Sequence, residues 1–150
     1  MPEKLKDVIN FAVKKEQEAA DFYYDLAGKI KSPAMEKELR KIAAMEEGHR
    51  DKLKKIDFKS ASKQTPKEVM DLKISDYLVE KEPTPDMSWQ ELLTVAMKRE
   101  QASLNLYKTM SKMFKAEKAV SQVFDILASE EAAHKLYFEK IYDDDILKEN

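Results

Sequence analysis

The chain has 150 residues, which suits a single domain with a sizeable core. Its low content of Gly (2) and Pro (5) favours a mostly helical chain over a β-sandwich, which would need many turn residues. The 27 basic and 29 acidic residues are well mixed, so nothing indicates a nucleic-acid or membrane partner, and the absence of Cys excludes disulfides and thiolate chemistry.

The first predicted helix runs from about Pro2 to Ile30. An apolar stripe at helical spacing defines its buried face: Leu5, Val8, Ile9, Ala12, Ala19, Tyr23, Leu26 and Ile30. Glu16 lies on the same stripe, between Ala12 and Ala19. We expect the helix to end before Pro33, because proline disfavours helical backbone in the residue that precedes it.

The second predicted helix begins with Ser32 as its cap and Pro33 at its first position. Its stripe alternates spacings of four and three residues: Met35, Leu39, Ile42, Glu46, His49, Leu53 and Ile56. Glu46 and His49 therefore stand where packing residues are expected. They lie three residues apart, which places the carboxylate and the imidazole on one face of the helix.

Residues 57–87 interrupt the helical pattern and are long enough to cross from one end of a bundle to the other. Thr65 and Glu68 form a capping-box pattern with Pro66 between them, which predicts a short helix starting there. Four residues after it were expected to pack this crossover on the bundle: Leu72, Ile74, Tyr77 and Leu78.

A second capping box, Ser88 with Glu91, predicts the start of the third helix. Its stripe consists of Leu92 or Leu93, then Ala96, Glu100, Ser103, Tyr107, Met110 and Phe114. The fourth helix is predicted to begin near Ala116, with the stripe Val120, Val123, Phe124, Leu127, Glu131, His134, Phe138 and Ile141. Residues 143–150 are expected to be a solvated end.

The two halves of the chain repeat one pattern. Residues 14–17 and 98–101 both read basic-basic-Glu-Gln, and each Glu precedes a Glu-x-x-His motif by 30 or 31 residues. A Tyr also follows each of these acids by seven residues, at Tyr23 and Tyr107. We therefore expect a helical hairpin repeated over about 2–56 and 88–142, with the crossover 57–87 between, in one domain covering 1–150.

The stripe positions of four acids, Glu16, Glu46, Glu100 and Glu131, indicate a metal site. A lone Glu-x-x-His is weak evidence, because charged helix positions are usually solvated. Burying four carboxylates is energetically very costly, however. No Lys or Arg occupies a stripe position next to these acids, where its charge would neutralise them. Two divalent cations would neutralise the four carboxylates and leave both imidazoles neutral.

At these positions the sequence resembles the ferritin-like di-iron family, and its rubrerythrin branch in particular, over nearly the whole chain. The resemblance implies an all-α, ferritin-like four-helix bundle with a long crossover between helices 2 and 3 that carries a short helix. It implies a centre of two iron ions with six metal ligands: Glu16, Glu46, His49, Glu100, Glu131 and His134. Manganese or zinc is also possible with carboxylate and imidazole donors.

The resemblance also assigns roles within this centre. Glu46 and Glu131 are expected to bridge the ions, while Glu16 and Glu100 are terminal ligands. Tyr23 and Tyr107 are either core aromatics or donors to a ligating carboxylate on another helix. No further catalytic residue is predicted. Glu47 and Glu130 each point about 100° around the helix axis from the neighbouring stripe acid. They are expected to be surface residues, and each would become a ligand only if its helix were overwound.

The expected function is a di-iron oxidoreductase that reduces peroxide or dioxygen with electrons from an external donor protein. The chain lacks the four Cys of a rubredoxin domain, and Ser103 stands where many rubrerythrins have a further Glu. The alternatives are a non-enzymatic iron-binding or storage protein with a ferroxidase-type centre, and a metal-free structural bundle. A homodimer is expected from the resemblance. No apolar leader or spanning segment is found, so the expected compartment is the cytoplasm.

Overall fold

The computed structural model of the chain describes residues 3–56, 72–79, 82–84 and 86–149. Four long α-helices account for most of them: α1 (Glu3–Lys29), α2 (Pro33–Lys55), α3 (Trp89–Met113) and α4 (Lys118–Glu149). Among the described residues between α2 and α3, Ile74–Tyr77 forms a 3-10 turn. The described part of the chain contains no β-strand. None of its helices combines the length and apolar character needed to cross a membrane.

The chain divides into two compact units, Met1–Asp71 and Leu72–Asn150. α1 packs against α2 in the first unit, and α3 packs against α4 in the second, so each unit is a helical hairpin. The two predicted hairpins are thus found, while the prediction of one domain over 1–150 stays a prediction.

The first hairpin turns within a few residues, and the sequence explains how. Ile30 N donates to Leu26 O at 3.1 Å to close the last turn of α1. Ser32 has extended backbone and accepts a hydrogen bond from Met35 N at 3.3 Å, with Pro33 opening α2. The missing N–H of a proline costs nothing at that position, because the first amides of a helix have no partner within the helix.

In the second hairpin, side-chain hydrogen bonds stabilise both ends of α3. Ser88 and Glu91 form the predicted capping box at the start of α3. At its other end, Ser111 Oγ donates to the Asp125 carboxylate, and Ser121 Oγ donates to Ser111 O at 3.1 Å. These bonds tie the end of α3 to the beginning of α4.

Two expectations differ from the structure, and a third is not tested by it. Leu78, expected to pack, is 50% exposed, whereas Leu72 is buried and Tyr77 donates to Thr109 Oγ1 at 3.3 Å. α4 begins at Lys118 and continues to Glu149, past the predicted end near residue 142, because no Gly or Pro interrupts the sequence there. The short helix predicted to start at Thr65 lies outside the described residues.

Candidate metal centre

Each hairpin buries two carboxylates and one imidazole in the middle of its helix pair. The first triad consists of Glu16 on α1 with Glu46 and His49 on α2. The second consists of Glu100 on α3 with Glu131 and His134 on α4. All six residues are at most 5% exposed. The helical stripes explain this, since each residue replaces an apolar side chain at a position that faces inward.

The donor atoms of the first triad converge. Nδ1 of His49 lies 3.6 Å from Glu16 Oε2 and 3.4 Å from Glu46 Oε1. The ligand atoms of these three residues all lie within 4.8 Å of one another. The Glu46 and His49 side chains come from successive turns of α2, and Glu16 reaches them from the neighbouring helix.

The second triad repeats this arrangement. Nδ1 of His134 lies 3.8 Å from Glu100 Oε2 and 3.7 Å from Glu131 Oε1. Its donors also lie within 4.8 Å of one another. The duplicated sequence pattern is therefore matched by duplicated geometry.

The donor set of each triad fits a divalent metal ion. Two ligands about 2.1 Å from one ion lie roughly 3.0–3.4 Å apart, which is close to the separations seen here. Carboxylate oxygens and imidazole nitrogen suit iron, manganese and zinc. Burying these acids together without a cation would be strongly unfavourable. The buried Glu and His groups of this chain can thus hold metal ions.

The comparisons with known proteins agree with this fold. The model of the ferritin-like domain family matches residues 5–143. The chain belongs to the ferritin-like domain family. The match includes most of each of the four helices, and it confirms the predicted all-α, ferritin-like fold class. No curated protein and no solved structure matches the chain.

The expected surface acids behave differently from the triads in this ferritin-like protein. Glu47 and Glu130 are partly exposed. Glu47 accepts a hydrogen bond from the Tyr24 hydroxyl, which raises the pKa of that phenol above its usual value, since a tyrosinate would face a carboxylate. Tyr23 and Tyr107, expected to be either core aromatics or donors to a ligating carboxylate, are fully buried.

A polar network next to the first triad was missed from the sequence. Arg50 follows His49 of the first triad, donates to the Gln17 side chain and lies 3.8 Å from Glu47. Arg50 also donates to Asp51 at 3.0 Å, which holds the pKa of that carboxyl below its usual range. The signal for it was the Glu47–Arg50 spacing of one helical turn. In the second hairpin, Gln101, which corresponds to Gln17, donates to Asn105 on its own helix, as Gln17 does to Asp21.

Proposed function

We propose that this chain is a rubrerythrin-like di-iron oxidoreductase that reduces peroxide or dioxygen with electrons from an external donor protein. The observation that carries the proposal is the pair of buried Glu-Glu-His triads in a chain of the ferritin-like family. The proposal assigns one iron ion to the ligands of each triad. Glu16, Glu46 and His49 would hold one ion, and Glu100, Glu131 and His134 would hold the other.

The protein's own residues would perform three tasks in this function. The four carboxylates balance the positive charge of two divalent ions, so the imidazoles of His49 and His134 can stay neutral and coordinate. The apolar residues of the helical stripes keep bulk water from the centre. The buried phenols of Tyr23 and Tyr107 are proposed as donors that orient ligating carboxylates, because a buried hydroxyl needs an acceptor.

Two iron(II) ions supply, when bound, the two electrons that convert one hydrogen peroxide and two protons into two water molecules. The chain has no Cys and hence no thiolate-bound iron of its own to replace these electrons. A second protein must therefore reduce the centre between turnovers.

The test uses the purified chain loaded anaerobically with iron(II). We expect about two iron ions per chain, full oxidation by one equivalent of hydrogen peroxide in a stopped-flow experiment, and then no further reaction. Adding a reductase with a rubredoxin-like donor should restore turnover. Reduced protein that does not react with hydrogen peroxide would contradict the proposal.

A matched pair of variants shows whether the triads are responsible. Glu131→Gln removes a buried ligand, whereas Glu130→Gln changes the adjacent, partly exposed acid. The first should lose iron and peroxide reactivity by at least tenfold, and the second should keep both. Equal loss in the two variants would show that the reactivity arises elsewhere.

The alternative is an iron-storage protein with a ferroxidase-type centre, which ferritin-like family membership favours as well. The same preparation separates the two functions. A storage protein would take up many more than two iron ions per chain in air and would form a large assembly to hold them.

A further inference from the structure

Two side-chain hydrogen bonds join α1 to α2 beside the first triad. Arg50 on α2 donates to the Gln17 side chain on α1, and the Tyr24 hydroxyl on α1 donates to Glu47 on α2. Arg50 Nη1 also lies 3.8 Å from Glu47 Oε2, so the two bonds are connected. We call these four partly exposed residues the clamp. The clamp connects the two helices that supply the first triad.

The clamp acts on the backbone from which the triad side chains project. Three of its residues directly follow a triad residue in the sequence: Gln17 follows Glu16, Glu47 follows Glu46, and Arg50 follows His49. One triad acid comes from α1 and the other two triad residues from α2, so their convergence depends on how the two helices are aligned. Hydrogen bonds between the helices at this level restrain sliding and rotation of one against the other. The clamp therefore orders the triad donors before any metal is bound.

The internal repeat contains the triad without the clamp. Alignment of the two triads places α3 84 residues after α1, and α4 85 residues after α2. The counterparts of the four clamp residues are Gln101, Lys108, Ala132 and Lys135. Ala132 has no side-chain acceptor, so the hydrogen bond from Tyr24 to Glu47 has no equivalent at the corresponding positions of the second hairpin.

The counterpart of Arg50 also makes a different contact. Lys135 lies 3.1 Å from Glu139, which is on the same helix, α4. Arg50 instead donates to Gln17 across the hairpin. The residues that correspond to the clamp thus leave α3 and α4 unconnected at these positions.

The separations of the triad donors differ in the same direction. His49 Nδ1 lies 3.4 and 3.6 Å from the two carboxylates of its triad, whereas His134 Nδ1 lies 3.7 and 3.8 Å from those of its own. Two ligands of one ion lie roughly 3.0–3.4 Å apart. The clamped triad is therefore closer to the geometry that a bound ion requires.

We propose that the clamp holds the first triad ready for metal, so that the two metal sites are unequal and the first triad binds its ion more tightly and fills first. Arg50 is the central positioning residue, because it contacts both Gln17 and Glu47. Ligands that are already in place lose less conformational freedom on binding, which raises affinity. The inference rests on the metal binding of the proposed function but not on the reaction with peroxide.

Calorimetric titration of the metal-free chain with manganese(II), and anaerobically with iron(II), tests this order. We expect two binding steps whose dissociation constants differ by about tenfold, the lower end of the effect of residues that orient metal ligands. His49→Ala should abolish the tighter step, and His134→Ala should abolish the weaker one.

Arg50→Ala separates positioning from charge. Removing a positive charge beside the triad would by itself strengthen the binding of a cation, whereas loss of the clamp should weaken the tighter step by about tenfold. Arg50→Lys keeps a donor and the charge, and it should recover part of the loss. Lys135→Ala removes the corresponding cation of the second hairpin and should weaken neither step. Circular dichroism should show unchanged helix in all three variants.

Tyr24→Phe removes the other hydrogen bond of the clamp without a change in charge, and it should also weaken the tighter step. Equal steps in the wild type, or an Arg50→Ala variant that binds as tightly as wild type, would overturn this inference and leave the proposed function intact. So would loss of the weaker step in His49→Ala. Absence of binding of either metal would instead overturn both.

Discussion

Tyr24 and Glu47 show how much the environment of an acid can differ from that of its buried neighbour in the sequence. Glu46 is buried in the triad, while its neighbour Glu47 accepts a hydrogen bond from the Tyr24 hydroxyl at the surface of the first hairpin. A rotation of about 100° between successive residues separates the two environments. The two adjacent glutamates therefore lie in different environments, one buried and one at the surface.

The raised pKa of Tyr24 leads to a prediction about stability at high pH. Because the folded-state pKa lies above the usual value of 10.0, the hydrogen bond contributes stability that is fully present below pH 10 and is lost as the pH rises through the folded-state pKa. Tyr24→Phe should thus lower the free energy of unfolding by about 1 kcal/mol at neutral pH. The difference from wild type should shrink above pH 10.

Urea unfolding of the two proteins at a series of pH values measures this difference. Glu47→Gln serves as the control, since it should bring the pKa of Tyr24 back toward 10.0 in an absorbance titration of tyrosinate. A wild-type advantage that is the same at every pH would show that Tyr24 acts by packing alone.

At the scale of the helix, the serine caps determine where α2 and α3 begin. Ser88 accepts a hydrogen bond from Glu91 N, and Glu91 Oε1 accepts one from Ser88 N, each at 3.2 Å. The box lies at the end of a segment that contains Pro83, so it marks where regular helix resumes.

Replacing Ser88 by Ala should destabilise the protein by about 1 kcal/mol, because the Glu91 amide loses its partner in the capping box. Thermal or urea unfolding of the purified variant gives the value. Ser88→Asp keeps an acceptor at the same position and should restore most of the loss. If the Asp variant were as unstable as the Ala variant, the capping hydrogen bond would not be the cause.

The helices also show which structural features can be predicted from a single sequence and which cannot. The inward stripes are periodic, so the burial of Glu16, Glu46, Glu100 and Glu131 could be predicted from spacing alone. Of the Arg50 network, only the Glu47–Arg50 spacing has a signal in the sequence. The bond from Arg50 to Gln17 on the neighbouring helix could not be predicted, because a long side chain has several possible partners until the two helices are packed. The exposure of Leu78 was missed for a similar reason, since an irregular segment has no period that assigns a face.

For the whole molecule, the two hairpins combine a shared inner design with different outer surfaces. Both bury a Glu-Glu-His triad at matching positions. On the outside, α2 presents Lys41 and Asp51, whereas α4 presents Ile126 and Leu136. The repeat therefore keeps its buried acids while its outer surfaces differ.

The buried acids give the molecule a stability that depends on metal. Six polar side chains occupy positions that apolar residues would fill in an ordinary helix pair, and carboxylates close together in the interior are destabilising without cations. A metal ion that binds only the folded protein adds about 2.7 kcal/mol per site when its free concentration is 100 times the dissociation constant. Adding manganese(II) or anaerobic iron(II) to metal-free protein should therefore raise the midpoint of thermal unfolding by several degrees.

Replacing the four triad acids with Gln should remove this response. The variant combines Glu16→Gln, Glu46→Gln, Glu100→Gln and Glu131→Gln. Without metal it should unfold at a higher temperature than metal-free wild type, because the buried charges are gone. The control carries the same change at four partly exposed acids: Glu18, Glu38, Glu117 and Glu139. Scanning calorimetry with chelator and with metal should show the metal-dependent shift in the control but not in the triad variant. If the unfolding temperature of the wild type changed with neither metal nor chelator, the triads would be structural and the di-iron proposal would be wrong.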